Sequence, residues 1–213
     1  MIIKVFFLIT SLLIVSISFS YGERNKEILF IGDSLTSGYG LSAGLDFVSE
    51  MRKITKKKYK NYDLINLGVS GDTTSGGLSR IEWSLSTKTA GVVILLGAND
   101  MLRGISPEIT SENLRKMIII CKNNDVPLLL VGQTAPNNFG LDYKKKYDNI
   151  FLELKEEFKL LLYPSFFSIL ITNNDLSSFE KYLQNDKIHP NYEGVKKIAN
   201  DFKETFFKFI ESL

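Results

Sequence analysis

The chain has 213 residues, 44% of them apolar and 23% charged, with 26 basic residues against 24 acidic ones and a formal charge of +2. Those proportions suit one globular domain with a sizeable core, and exclude a disordered chain and a strongly basic nucleic-acid binder. No internal repeat, low-complexity tract or composition shift divides it.

Met1 to Lys4 carry one positive charge, Val5 to Ser20 are almost wholly apolar, and small residues stand at Ser18, Ser20 and Gly22. This is the layout of a secretory signal peptide over residues 1–22, with cleavage after Ser20 or Gly22. The apolar run is shorter than the roughly 20 residues that span a bilayer, so an anchor over residues 5–20 is the lesser reading. The sequence thus predicts an exported protein, periplasmic or secreted, with its folded domain over 23–213. Removing residues 1–22 takes away Lys4 and no acid, and the charge falls from +2 to +1. Lysine runs at 56–58 and 144–146 read as solvated helix ends or loops, and no nucleic-acid partner is expected.

Ile28 to Ile31 is an apolar run that stops abruptly in Gly32-Asp33-Ser34, as a buried parallel strand ending in a tight turn does. Asp46 caps a helix to about Lys57, with Phe47, Val48, Met51 and Ile54 on one face. Tyr62 to Leu67 reads as a second strand, and the turn Gly68-Val69-Ser70-Gly71-Asp72-Thr73-Thr74 feeds a helix to about Leu85. Gly91 to Leu96 has no polar side chain and reads as a buried strand, ending in Gly97-Ala98-Asn99-Asp100. Pro107 opens a helix to about Asn123. Val126 to Gly132 forms a fourth strand with proline at its entry. A linker rich in Pro, Asn and Gly follows from Thr134 to Gly140, then a helix from about Tyr143 to Phe158 and a short strand over Leu160 to Tyr163. Leu170 to Gln184 is ambiguous between loop and short helix. From Asn191, the stripe Val195, Ile198, Ala199, Phe202, Phe206, Phe209 and Ile210 predicts a final amphipathic helix.

Strands alternating with helices predict an α/β protein, a three-layer α/β/α sandwich on a five-stranded parallel sheet. In such a sheet all strands end on one edge, so Ser34, Gly71, Asn99 and the loop of His189 can converge. His189 is the single histidine, in Asp186-Lys187-Ile188-His189-Pro190. A serine hydroxyl needs a base to become a nucleophile, and a histidine, with a reference pKa of about 6.5, takes and returns that proton at neutral pH. Asp186 is placed to hold the far ring nitrogen. Backbone N–H groups of Ser34 and Gly71 and the side-chain amide of Asn99 are the candidate donors to a developing oxyanion. Asp33, Asp72 and Asp100 read as turn braces or helix caps. Cys121 shares a helix face with Leu114, Met117 and Ile118 and reads as a buried inert thiol. One histidine and one cysteine are too few for a zinc site, so no metal or other cofactor is expected.

Gly32-Asp33-Ser34-Leu35, Gly71, Gly97-x-Asn99-Asp100 and Asp186-x-x-His189-Pro190 resemble, in order, the four blocks of the SGNH or GDSL hydrolases, over Ile28 to about Leu213. Residues 68–73 and 96–104 are similar to the branch of bacterial exported arylesterases and multifunctional acyl-CoA thioesterase/lysophospholipase enzymes. The resemblance implies a flavodoxin-like sheet, Ser34 as nucleophile, Asp186 and His189 completing a triad, and an oxyanion hole from the Ser34 amide, Gly71 and Asn99. Ala98 stands where some relatives carry a second glycine, a position without side-chain chemistry.

The reaction expected is hydrolysis of a carboxylic ester or thioester through an acyl-enzyme on Ser34, with a small-molecule ester or lipid as partner and transient contact with membrane lipid. Met101, Leu102, Ile105, Pro136 and Phe139 are the candidate acyl-binding residues, against a plain loop-packing role. The alternatives are a carbohydrate acetyl-esterase on the same fold and a non-catalytic small-ligand binder; an apolar slot favours acyl chains, and exposed aromatic walls favour sugar.

Overall fold

The computed structural model describes residues 25–171 and 179–213. Five strands, β1 (Lys26–Gly32), β2 (Tyr62–Gly68), β3 (Thr89–Leu95), β4 (Leu128–Val131) and β5 (Leu161–Tyr163), lie parallel in the order β2-β1-β3-β4-β5. The chain passes from β1 outward to β2 and then returns past β1 to β3. The strand order therefore reverses between β1 and β3, and the crevice beyond their carboxyl ends is where a doubly wound sheet offers a ligand site.

Period-two alternation divides each central strand between two cores. Ile28 and Phe30 of β1, Val93 and Leu95 of β3, and Leu129 and Val131 of β4 face one side. There they meet helices α2 (Phe47–Thr55) and α7 (Tyr192–Glu211), the latter supplying Val195, Ile198, Phe202, Phe206 and Phe209. Leu29, Ile31, Val92, Ile94, Leu128 and Leu130 face the other side, against α3 (Thr74–Ser84), α5 (Pro107–Asn123) and α6 (Leu141–Phe158). The result is the three-layer sandwich. Phe202 and Phe206 are fully buried, and each such side chain contributes about 1.5–3 kcal/mol by leaving water.

Asp46 caps α2 as expected, accepting from the Ser49 N–H; Ser106 also caps α5 ahead of Pro107, and Asn191 caps α7, accepting from the Gly194 N–H. Two short helices escape the periodicity, α1 (Ser34–Ser37) and α4 (Ala98–Leu102), each starting within three residues of a strand end. Four or five residues complete too little of a turn cycle to carry an apolar stripe. The fourth strand is shorter than expected, because Val126 and Pro127 lie before the β4–β5 ladder begins at Leu129. Of the ambiguous stretch Leu170 to Gln184, residues 172–178 lie outside the described residues, as does the signal-like segment. The lysine runs pair with surface acids, Lys56 with Asp63, Lys58 with Glu211, Lys144 with Asp148 and Lys146 with Glu108, and such exposed pairs contribute about 0–1 kcal/mol each. Cys121 is fully buried, and burial pushes its thiol up to about 12, so it stays protonated and inert.

Candidate active site

Ser34 is the first residue of α1, directly beyond β1. The turn that carries it folds back on its own strand so closely that a Cβ on Gly32 would lie 1.9 Å from the Thr36 hydroxyl and 2.8 Å from the Leu95 carbonyl oxygen. Only glycine allows that reversal. Asp33, fully buried, accepts from the Leu35 N–H at 2.9 Å and so caps α1 while the Ser34 hydroxyl projects to the sheet edge.

The loop before α7 brings the base. Asp186 Oδ1 accepts the backbone N–H of Ile188 at 2.9 Å and of His189 at 3.0 Å, a turn that aims the histidine ring. Asp186 Oδ2 lies 2.7 Å from His189 Nδ1, and His189 Nε2 lies 2.8 Å from Ser34 Oγ. A carboxylate beside Nδ1 assigns the ring proton there and leaves the Nε2 lone pair facing the hydroxyl. Desolvation works to raise the Asp186 carboxyl, but the N–H donors of His189 and Ile188 and the imidazole together hold it down at about 2.

Gly71 sits in the middle of the loop between β2 and α3 with φ +83°, a left-handed conformation that glycine adopts without strain. Its carbonyl accepts from Arg103 Nη2 at 2.7 Å. Among the described residues neither the Ser34 nor the Gly71 N–H has a protein acceptor, so both are free to donate into the cleft. Asn99, in α4, donates from Nδ2 to the Asp72 carbonyl at 2.9 Å, and the same nitrogen lies 3.3 Å from Asp33 Oδ2. One amide hydrogen is thereby held by the Asp72 carbonyl and the other makes the longer bond to Asp33, the weaker of the two for an oxyanion in the cleft to displace. Asp72 is itself held by Arg80 at 2.9 Å, and Arg80 also donates to the Gly32 carbonyl at 3.1 Å. Asp100 does no such work at the surface: buried, it accepts the Thr74 N–H at 2.8 Å and the hydroxyls of Thr74 and Thr110, tying α4 to the start of α3. Asn99→Ala is expected to lower kcat by about 10²–10³-fold with KM little changed, since one preorganised donor is lost; steady-state kinetics on the folded variant check it.

Burial pushes the Asp33 carboxyl up from 3.8 to about 6, against the pull of the Leu35 N–H, His189 and the Asn99 amide. A raised acid favours the folded state fully below 3.8, and that contribution is lost as pH rises through about 6. Asp33→Asn keeps an acceptor for the Leu35 N–H and removes the charge. Between about pH 4 and about pH 7 the wild type is therefore expected to lose about 2 kcal/mol of stability relative to the variant. Urea midpoints at the two pH values measure this, and parallel changes in both proteins would refute it.

A cavity of about 460 Å³ opens over Ser34, His189, Gly71 and Asn99. Met101, Leu102 and Pro136 line it as the sequence suggests, and so do Tyr39, Phe167 and Ile188, which the sequence reading overlooked. Tyr39 and Ile188 are near neighbours in sequence of Ser34 and His189, a proximity that marks them; nothing in the local pattern marks Phe167. Ile105 and Phe139 are not part of the lining. The Ile105 carbonyl accepts from Tyr143 at 2.8 Å, and the Phe139 ring packs on Tyr143 and against Gly104, so both serve the neighbouring loop instead. A larger groove of about 640 Å³ between α5 and α6 mixes Arg115, Lys145 and Lys146 with Glu108, Asp142 and Glu153 and touches none of these site residues. Its charges cancel, and its one serine, Ser111, has no histidine beside it in the lining, so the smaller cavity is the candidate site.

Residues 30–197 match the model of the GDSL-like Lipase/Acylhydrolase family. The chain is 29% identical over 189 residues to the arylesterase of Vibrio mimicus, covering 88% of this chain and 92% of that one. It is 30% identical over 174 residues to the thioesterase 1/protease 1/lysophospholipase L1 of Escherichia coli K12, covering 81% and 79%. Among solved structures it superposes on AlinE4, an SGNH-hydrolase family esterase, with a TM-score of 0.69, 34% identity and coverage of 86% and 96%.

Proposed function

The chain belongs to the GDSL-like lipase/acylhydrolase family, and from that premise we propose that it hydrolyses carboxylic esters or thioesters through an acyl-enzyme on Ser34. The observation that carries the reading is the relay of 2.7 Å from Asp186 to His189 and 2.8 Å from His189 to Ser34. His189 takes the hydroxyl proton as Ser34 Oγ attacks the acyl carbonyl carbon. The resulting oxyanion is met by the Ser34 and Gly71 N–H groups and the Asn99 amide. The tetrahedral species collapses, the alkoxide or thiolate leaves with the proton from His189, and Ser34 holds the acyl group. Water deprotonated by the same imidazole then attacks, and the carboxylic acid departs as the Ser34 proton is restored.

Tyr39, Phe167 and Phe179 put aromatic rings in the lining, but the walls at Leu35, Met101, Leu102, Pro136 and Ile188 form an apolar slot with few polar groups for a hydroxyl-rich substrate, which favours acyl chains over sugar. Mature protein is expected to cleave p-nitrophenyl acyl esters and a lysophospholipid or acyl thioester faster than an acetylated sugar, and to take one fluorophosphonate adduct on Ser34. Turnover of the acetylated sugar alone would move it to the carbohydrate esterases, and no adduct on folded protein would support the binder.

Export is proposed on the charge, apolar run and small residues of segment 1–22. Sequencing the amino terminus of protein recovered outside the cytoplasm is expected to give Tyr21 or Glu23. Among the described residues no helix is long and apolar enough to cross a membrane. Contact with lipid is supported by the exposed apolar side chains Tyr39, Leu102 and Ile188 at the cavity mouth and Val69 beside it.

A further inference from the structure

Ser34 and His189 are 155 residues apart in the chain, yet their chemistry requires hydrogen-bond contact. The bonds inside the histidine loop, from the Gln184 N–H to the His189 carbonyl at 2.8 Å and from the Lys187 N–H to the Gln184 carbonyl at 3.0 Å, give that loop its shape. They say nothing about where it stands relative to the serine. Among the described residues, only two hydrogen bonds join the segment after β1 (residues 34–46) to the segment 179–191. One is the contact of His189 with Ser34; the other runs from Gln184 Nε2 to the Tyr39 carbonyl at 2.8 Å.

We infer that Gln184 is a positioning residue that sets the distance between base and nucleophile. The same Nε2 donates to the Pro190 carbonyl at 3.0 Å, directly after His189. Both neighbours of that nitrogen are carbonyls, which assigns the amide orientation without ambiguity. On the far side the path continues from the Tyr39 N–H to the Ser34 carbonyl at 3.2 Å. One amide therefore spans the two loops, a hydrogen to each. Its seat is close-fitting: a Cβ on Gly40, whose φ is +75°, would lie 2.1 Å from Gln184 Oε1. The Tyr39 ring, carried by the same contact, packs on the His189 ring with centroids 4.8 Å apart. Glutamate would turn a carboxylate to both carbonyls, leucine removes both donors, and asparagine is a methylene too short.

This inference rests on the serine–histidine reading above. A misplacement of about 1 Å between reacting groups costs about 10²-fold in rate, so Gln184→Leu is expected to lower kcat about 10–100-fold with KM within about threefold. The rate of fluorophosphonate labelling should fall by the same factor, because labelling needs the activated hydroxyl. In a Ser34→Ala background the same substitution should change the residual rate no further, while its shift in Tm persists. If Gln184→Leu does not fold, Gln184→Glu carries the same measurements. Wild-type kcat and labelling in a folded Gln184 variant, or an equal loss in the Ser34→Ala background, would overturn the inference. Wild-type turnover in Ser34→Ala would instead overturn the serine mechanism itself, and the two failures are thus distinguishable.

Discussion

Ser34→Ala is expected to lower kcat by at least about 10⁴-fold and to abolish the fluorophosphonate adduct, while the protein remains folded. Loss of a nucleophile in a triad removes the covalent route, and what survives is the rate supplied by substrate binding and the oxyanion donors. Among the described residues the hydroxyl makes a single bond, to His189 Nε2, and the α1 cap is built by Asp33 and the backbone rather than by the serine side chain. Stability should therefore change little. A purified variant with native Tm and wild-type hydrolysis of p-nitrophenyl butyrate would remove Ser34 from the reaction.

Asp186→Asn is expected to lower kcat by about 10⁴-fold, the cost seen when a triad carboxylate is replaced by its amide. Asp186 accepts three donors, two backbone N–H groups on Oδ1 and the ring Nδ1 on Oδ2. An asparagine keeps the oxygen for the backbone pair and turns its NH₂ to the ring. The ring proton then moves to Nε2 and faces the hydroxyl it should be receiving from. Because the Asp186 carboxyl is held at about 2, it is ionised throughout the neutral range. The sign for stability follows: the depressed acid contributes above 3.8, and the contribution is lost as pH falls toward about 2. An intact rate in folded Asp186→Asn would leave His189 oriented by something other than this carboxylate.

The elements of this protein with repeated signals were legible in its sequence. The buried runs of β1 and β3, the proline start of α5 and the seven-residue stripe of α7 each repeat a local preference several times over, so averaging brings it out. The helices α1 and α4 are each a single turn, and their conformation comes from a strand end, a cap and a glycine acting together rather than from any periodic pattern. The residues lining the cleft were legible in part for a related reason. Met101, Leu102 and Pro136 border the cleft because the loops after β3 and β4 end there, whereas Ile105, whose carbonyl accepts from Tyr143, and Phe139, whose ring packs on Tyr143, lie outside the lining through contacts that no local rule contains.

The amino-acid sequence by itself determined the alternation of strands and helices, and with it the edge on which Ser34, Gly71, Asn99 and His189 meet, because parallel strands joined by right-handed crossovers all end on one side. Tertiary structure alone decided the distances: 2.8 Å between imidazole and hydroxyl, the shape of the cavity, and the choice of Gln184 to hold the two loops together. The physical reason is range. Patterns of burial are summed over neighbours along the chain, but a hydrogen bond across 145 residues is specified by the packing of everything between them.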